Sequence, residues 1–168
     1  FRNNQLTSVS IGSGLITIGA SVFRDNALVS VTIPDSVTTI GGDAFRNNQL
    51  TSINWGSALT KIEISAFREN SLATVTIPNS VTTIDSEVFR SNQLTSVSLG
   101  SGLITIGSSV FRDNALVSVT FPDSLTTIKS DAFRNNQLTS IVWGSGLTTI
   151  EGSAFRENSL TTVTIPDS

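Results

Sequence analysis

The chain contains no cysteine, histidine, tyrosine or methionine. Without cysteine there is no disulfide framework and no thiolate metal site, and redox chemistry says nothing about compartment. Losing histidine removes the commonest general base, and losing all four removes the usual transition-metal ligands. Carboxylates recur as surface rows, as any repeat generates them, and none is set apart as a site. The "GSGL" segments lack the lysine and the helix that a phosphate-binding loop needs. These absences predict a protein without catalysis, cofactor or bound metal. Charged residues reach only 14% while hydrophobic ones reach 38%, which excludes a disordered polyelectrolyte and allows a core. No stretch approaches the roughly 20 apolar residues needed to cross a bilayer, so no membrane insertion is expected.

What is present is a period. Phe recurs at 1, 23, 45, 67, 89, 111, 133 and 155, a strict 22-residue step, with Arg at the next position and Asn at the third. The units alternate. Those beginning at Phe1, Phe45, Phe89 and Phe133 read "FR-x-NQLTS" (here, Gln coils), and the others read "FR-x-N-x-L" and reach Pro34, Pro78, Pro122 or Pro166 (Pro coils). A longer period of 88 residues lies above these: "FRDNALVSVTIPDS" at 23–36 returns as "FRDNALVSVTFPDS" at 111–124. Strict periods of this length mark stacked architectures. Residues 1–168 are therefore expected to form one elongated repeat domain, a β-rich solenoid of about seven and a half 22-residue coils with tight or single-turn helical corners. The chain starts and stops inside a unit and lacks an initial Met, so it is expected to be a piece of a longer repeat protein.

Within a unit the apolar spacing is that of strands. In "LVSVTIP" Leu28, Val31 and Ile33 point inward while Ser30 and Thr32 face out. In "SVTTIGGDAF" Val37, Ile40, Ala44 and Phe45 are inward, with Thr38 and Thr39 outward, before a turn or single helical turn at "AFRNN". The pattern carried by Leu28, Val31, Ile33, Pro34, Val37, Ile40, Ala44, Phe45, Asn48 and Leu50 resembles the BspA-like class of bacterial leucine-rich repeats over the whole chain. Two features depart from that class. Asn26, Asn48 and their equivalents stand where it commonly has Cys, and its unit is usually one residue longer. The resemblance implies a surface or secreted protein, outside the cell, that contacts other proteins.

Three polar series invite a functional reading. The Asn series at Asn4, Asn26, Asn48, Asn70, Asn92, Asn114, Asn136 and Asn158 is either a binding row or a structural ladder that satisfies backbone groups of neighbouring coils. Fixed turn positions favour the ladder. The Arg series accounts for every Arg in the chain and could track a polyanion. Asp25, Glu69, Asp113 and Glu157 follow directly after Arg, and Asp43, Glu63, Asp85, Glu87, Asp131 and Glu151 precede the next Phe, with a net charge of −3. A neutralised seam is the better reading, and nucleic acid is not expected as a partner. The third series is the outward strand face, for which Ser30, Thr32, Ser52, Asn54, Trp55, Thr74, Thr76, Ser118, Thr120, Ser140, Val142 and Trp143 are the candidate binding residues. Its small hydroxyls either serve solubility or form a protein or glycan contact face, and ice binding by Ser/Thr rows is a weaker third reading. Trp55 and Trp143 occupy a position that other units fill with Ile, Leu or Phe, which argues for core, with an exposed aromatic edge as the alternative.

The function expected from these readings is a non-catalytic surface interaction module for adhesion or protein binding. The rival is a structural stalk or filament unit that self-associates end to end.

Overall fold

The computed structural model describes residues 1–165. Six three-residue strands, β2 (Ser30–Thr32), β4 (Ser52–Asn54), β6 (Thr74–Thr76), β8 (Ser96–Ser98), β10 (Ser118–Thr120) and β12 (Ser140–Val142), alternate with seven two-residue strands. The short ones are β1 (Thr17–Ile18), β3 (Thr39–Ile40), β5 (Lys61–Ile62), β7 (Thr83–Ile84), β9 (Thr105–Ile106), β11 (Thr127–Ile128) and β13 (Thr149–Ile150). All pairing is parallel, and each residue faces its equivalent in the next coil: Thr17 faces Thr39 and Val31 faces Ile53. The 22-residue period is thus the register of a β-solenoid. The seven short strands join into one continuous sheet, so the lesser extended run, not the longer one, carries the uninterrupted ladder.

The core is a column. Leu28, Val37, Ile40, Ala44, Phe45 and Leu50 are fully buried, as are their equivalents in the central coils. Eight phenylalanines from Phe1 to Phe155 stack with ring centroids 5.2–5.8 Å apart and interplanar angles of 5–25°. Each coil thereby buries apolar surface against its two neighbours that it could not bury alone.

Each corner from Phe23 to Phe155 is a tight turn, and no helix forms among the described residues. The backbone shows why. Ser21 and Asp25, two residues either side of Phe23, have φ of 58° and 56°, and the same pair of left-handed residues recurs along the stack. A right-handed helical turn needs consecutive residues in the opposite region. All of these positions are held by Asn, Asp, Ser or Glu, and none by glycine.

The Asn series closes the corners. Asn70 Nδ2 donates to the Phe67 carbonyl at 3.1 Å and to the Phe45 carbonyl of the preceding coil at 3.0 Å, and its Oδ1 accepts from Leu50 N–H at 3.0 Å. Asn26, Asn48, Asn92, Asn114, Asn136 and Asn158 repeat the pattern. Asn4, in the first coil, bonds only within its own turn, to the Phe1 and Arg2 carbonyls. Asn48, Asn70, Asn92 and Asn136 are buried, where an unpaired amide or peptide group is costly.

Candidate interaction face

The three-residue strands present Ser30, Thr32, Ser52, Asn54, Thr74, Thr76, Ser118, Thr120, Ser140 and Val142 to solvent. These outward strands do not form one continuous sheet. β2 pairs with β4, β6 with β8 and β10 with β12, but no ladder joins β4 to β6 or β8 to β10. Ser8–Ser10 and Thr162–Thr164 are in no strand ladder. Each break falls between a Gln coil and the Pro coil that follows it. Across the opposite junction, from Pro coil to Gln coil, the fit is close. Ile33, Ile77 and Phe121 N–H donate to the carbonyls of Asn54, Ser98 and Val142 at 2.8–2.9 Å. Gly56, Gly100 and Gly144 lie so near the carbonyl oxygens of Pro34, Pro78 and Pro122 that a Cβ would sit 2.1–2.4 Å away. Only glycine permits that approach.

The two coil types also differ in depth. Val31, Val75 and Val119 of the Pro coils are buried, whereas Ile53, Val97 and Ile141 of the Gln coils are half-buried. The face is therefore corrugated, and grooves open at the unladdered junctions. One, about 170 Å³, lies between β4 and β6 beside Trp55, and another, about 400 Å³, lies between β8 and β10 over Leu99 and Phe121.

Trp55 and Trp143 are half-buried rather than core. Trp55 packs edge-on against Phe67 at 5.4 Å, and Trp143 packs against Phe121 at 5.5 Å and edge-on against Phe155 at 5.7 Å. The Gln-coil position holds each ring at the rim of the column, since Ile33, Ile77 and Phe121 of the Pro coils fill its interior. Asn54 turns its amide toward Thr32 Oγ1 of the preceding coil at 3.4 Å and does not line the groove beside Trp55.

Charge is confined to other edges. Every Arg reaches a carboxylate. Asp25 lies between Arg2 and Arg24, Asp43 between Arg24 and Arg46, Glu69 between Arg46 and Arg68, and Glu87 between Arg68 and Arg90. Asp113 bridges Arg90 and Arg112, Glu157 bridges Arg134 and Arg156, and Asp131 reaches Arg134. Successive acids come alternately from the position two after Phe and the position two before it. The alternation of coil types thus has an electrostatic consequence: two coils supply two carboxylates for two guanidinium groups. A polyanion would have to displace these carboxylates. Glu63 stands outside the seam, paired with Lys61 at 2.8 Å.

The seam predicts acid sensitivity. A hydrogen bond from Asn47, then the charges of Arg24 and Arg2, hold the Asp25 carboxyl below its ordinary range. Burial pushes Asp113 up, but hydrogen bonds from Asn135 and Arg90 and the charges of Arg112 and Arg90 outweigh it, and its net shift is also downward. Groups with depressed folded values contribute stability that is present above the ordinary carboxylate range and lost as pH falls through the folded values. The urea midpoint should therefore change little from pH 7 to about 5 and drop below about 4. Equal midpoints at neutral pH and at pH near 2 would contradict the seam's contribution.

Among the described residues, no group of three His, Cys, Asp or Glu side chains could hold a metal ion, and no helix is long and apolar enough to cross a membrane. The sequence profile of the family described as "BspA type Leucine rich repeat region" matches residues 1–117 and 60–168, in six copies. No curated protein matches the chain. Among solved structures, the pneumococcal vaccine antigen PcpA is similar with a TM-score of 0.71 and 26% identity, over 84% of this chain and 40% of that one. A leucine-rich repeat protein of T. pallidum gives 0.63 and 26%, over 82% and 67%. One from Eubacterium ventriosum gives 0.62 and 26%, over 86% and 47%. The chain thus spans 40–67% of the length of these structures.

Proposed function

Because the chain belongs to the BspA-type leucine-rich-repeat family, we propose that it is a non-catalytic interaction module of a bacterial cell-surface or secreted protein, and that it holds its partner on the outward face of the three-residue strands. The observation that carries this reading is the division of labour around the coil. The arginines are engaged with carboxylates along one edge, while the strand face is uncharged, corrugated and grooved. Ligand sites favour concave surfaces over flat ones. Likeness to a vaccine antigen supports the surface setting.

Beads coated with the 168-residue chain should adhere to cultured epithelial cells above the level of uncoated beads. Ser52→Lys with Thr74→Lys, which places charge on the strand face, should abolish adhesion. Thr83→Lys with Thr105→Lys, on the continuous sheet of short strands, should leave it unchanged. Equal adhesion by the two double variants would remove the strand face from the function.

A further inference from the structure

The grooves of the strand face share a chemistry and a spacing that narrow the class of partner. Neither is lined by a charged residue, so a phosphate, an acidic chain or a basic peptide would find no counter-ion there. Hydroxyls of Thr74 and Thr76 stand over the first groove, and Ser118 and Thr120 over the second. Between the hydroxyls lie the half-buried Trp55 in one groove and the half-buried Leu99 in the other, with Phe121 buried beneath the second. Trp55 is half-buried, and its indole N–H is neither bonded within the protein nor sealed from solvent. An aromatic edge beside neutral donors and acceptors suits a ligand that alternates C–H faces with hydroxyls.

Spacing supplies the independent argument. The grooves recur at the same junction of the two-coil repeat, 44 residues apart, from Thr76 to Thr120, which at the parallel-strand separation is about 10 Å along the stack. That distance is close to one disaccharide of an extended β-1,4-linked chain. Such a chain turns the same face outward at every second sugar, so successive disaccharides meet successive grooves alike. A polypeptide strand cannot lie between β4 and β6, because those strands are near neighbours in the stack and an inserted strand would need two strand separations.

We propose that the grooves at β4–β6 and β8–β10 together bind a neutral, extended β-1,4-linked oligosaccharide lying along the solenoid axis. The proposal rests on the strand face being the interaction face and adds the identity of what it holds. Trp55 and the Thr74 and Thr76 hydroxyls form the first subsite, and Leu99 with the Ser118 and Thr120 hydroxyls forms the second.

The test uses the 168-residue chain carrying Trp143→Phe, which leaves Trp55 as the sole indole. Cellohexaose, β-1,4-mannohexaose and N-acetylchitohexaose are titrated separately against its emission and by calorimetry. At least one should give a saturable change. That hexasaccharide should bind about tenfold or more tighter than its own disaccharide, because only the longer chain reaches both grooves. Thr74→Val with Thr76→Val preserves shape and strand preference and should weaken it by about tenfold, whereas Thr83→Val should have no effect. The proposal is overturned if none of the three hexasaccharides binds at millimolar concentration, if disaccharide and hexasaccharide bind alike, or if the double Val variant binds like its parent. Failure of the sugars while the coated beads still adhere through Ser52 and Thr74 would leave the interaction module standing and assign its partner to protein.

Discussion

Phe89→Ala is expected to lower the free energy of unfolding by about 3–5 kcal/mol, the range for truncating a buried phenylalanine. Phe89 is fully buried, with Phe67 on one side at 5.8 Å and Phe111 on the other at 5.7 Å, both near parallel. Removing it opens a void and interrupts the aromatic column where four coils lie below and three above. In a stack, each unit is stabilised by its immediate neighbours, so a central defect weakens two interfaces at once. Phe1→Ala is the matched control: Phe1 is 76% exposed and stacks on one side only, so its loss should cost far less. Phe89→Leu should fall between, since it restores much of the volume but not the stacked ring. Urea denaturation of the three variants checks this. If Phe89→Ala and Phe1→Ala shifted the midpoint equally, the column would not be the axis of stability.

Much of this fold is legible because the repeat multiplies every local signal. One Phe followed by Arg says little, but the same pair every 22 residues fixes the register, since parallel strands in a solenoid must pair equivalent residues. Inward and outward positions follow from alternation, as Val31 between Ser30 and Thr32 shows with its 3% exposure. What the period conceals is any difference between junctions. A repeat implies that each coil meets the next in the same way, yet a two-coil unit has two kinds of junction. Gly56, Gly100 and Gly144 let one of them close by a missing Cβ, a property that acts on the neighbouring coil and leaves no mark on hydrophobic periodicity. Hence the hydroxyl face reads as continuous in sequence and is broken in structure.

The seam and the tryptophans show the same limit. That carboxylates neutralise the arginines is visible from their abundance near each Phe. That all of them but Asp131 bridge the arginines of two successive coils, as Asp43 does for Arg24 and Arg46, requires knowing that Asp25 and Asp43 lie on opposite sides of the Phe corner, each held in a left-handed turn. Trp55 reads as core because its equivalents Ile33 and Ile77 are core. Its half-exposure comes from the shallower seating of the Gln coils, again a property of two coils together.

Asn70→Ala tests the other column of the stack. The amide of Asn70 satisfies Leu50 N–H and binds the carbonyls of Phe45 and Phe67, all in the buried corner. Alanine removes both the donor and the acceptor and offers nothing in their place. Leaving buried backbone groups unpaired costs about 1–3 kcal/mol, more than the net worth of a single hydrogen bond, because these groups keep their desolvation penalty without a partner. Stability should fall by about that amount, read as a shift in urea midpoint at unchanged slope. Thr83→Ala, on the exposed outer side of β7, should move the midpoint little. Asn70→Asp separates the two halves of the amide. The carboxylate can still accept from Leu50 N–H but faces the Phe45 and Phe67 carbonyls without a proton to give, so it should destabilise at neutral pH. It should recover in part as the pH falls and the group protonates, whereas Asn70→Ala shows no such recovery. Equal midpoints for Asn70→Ala and Thr83→Ala would show that the corner is held by its backbone bonds and the Phe column alone.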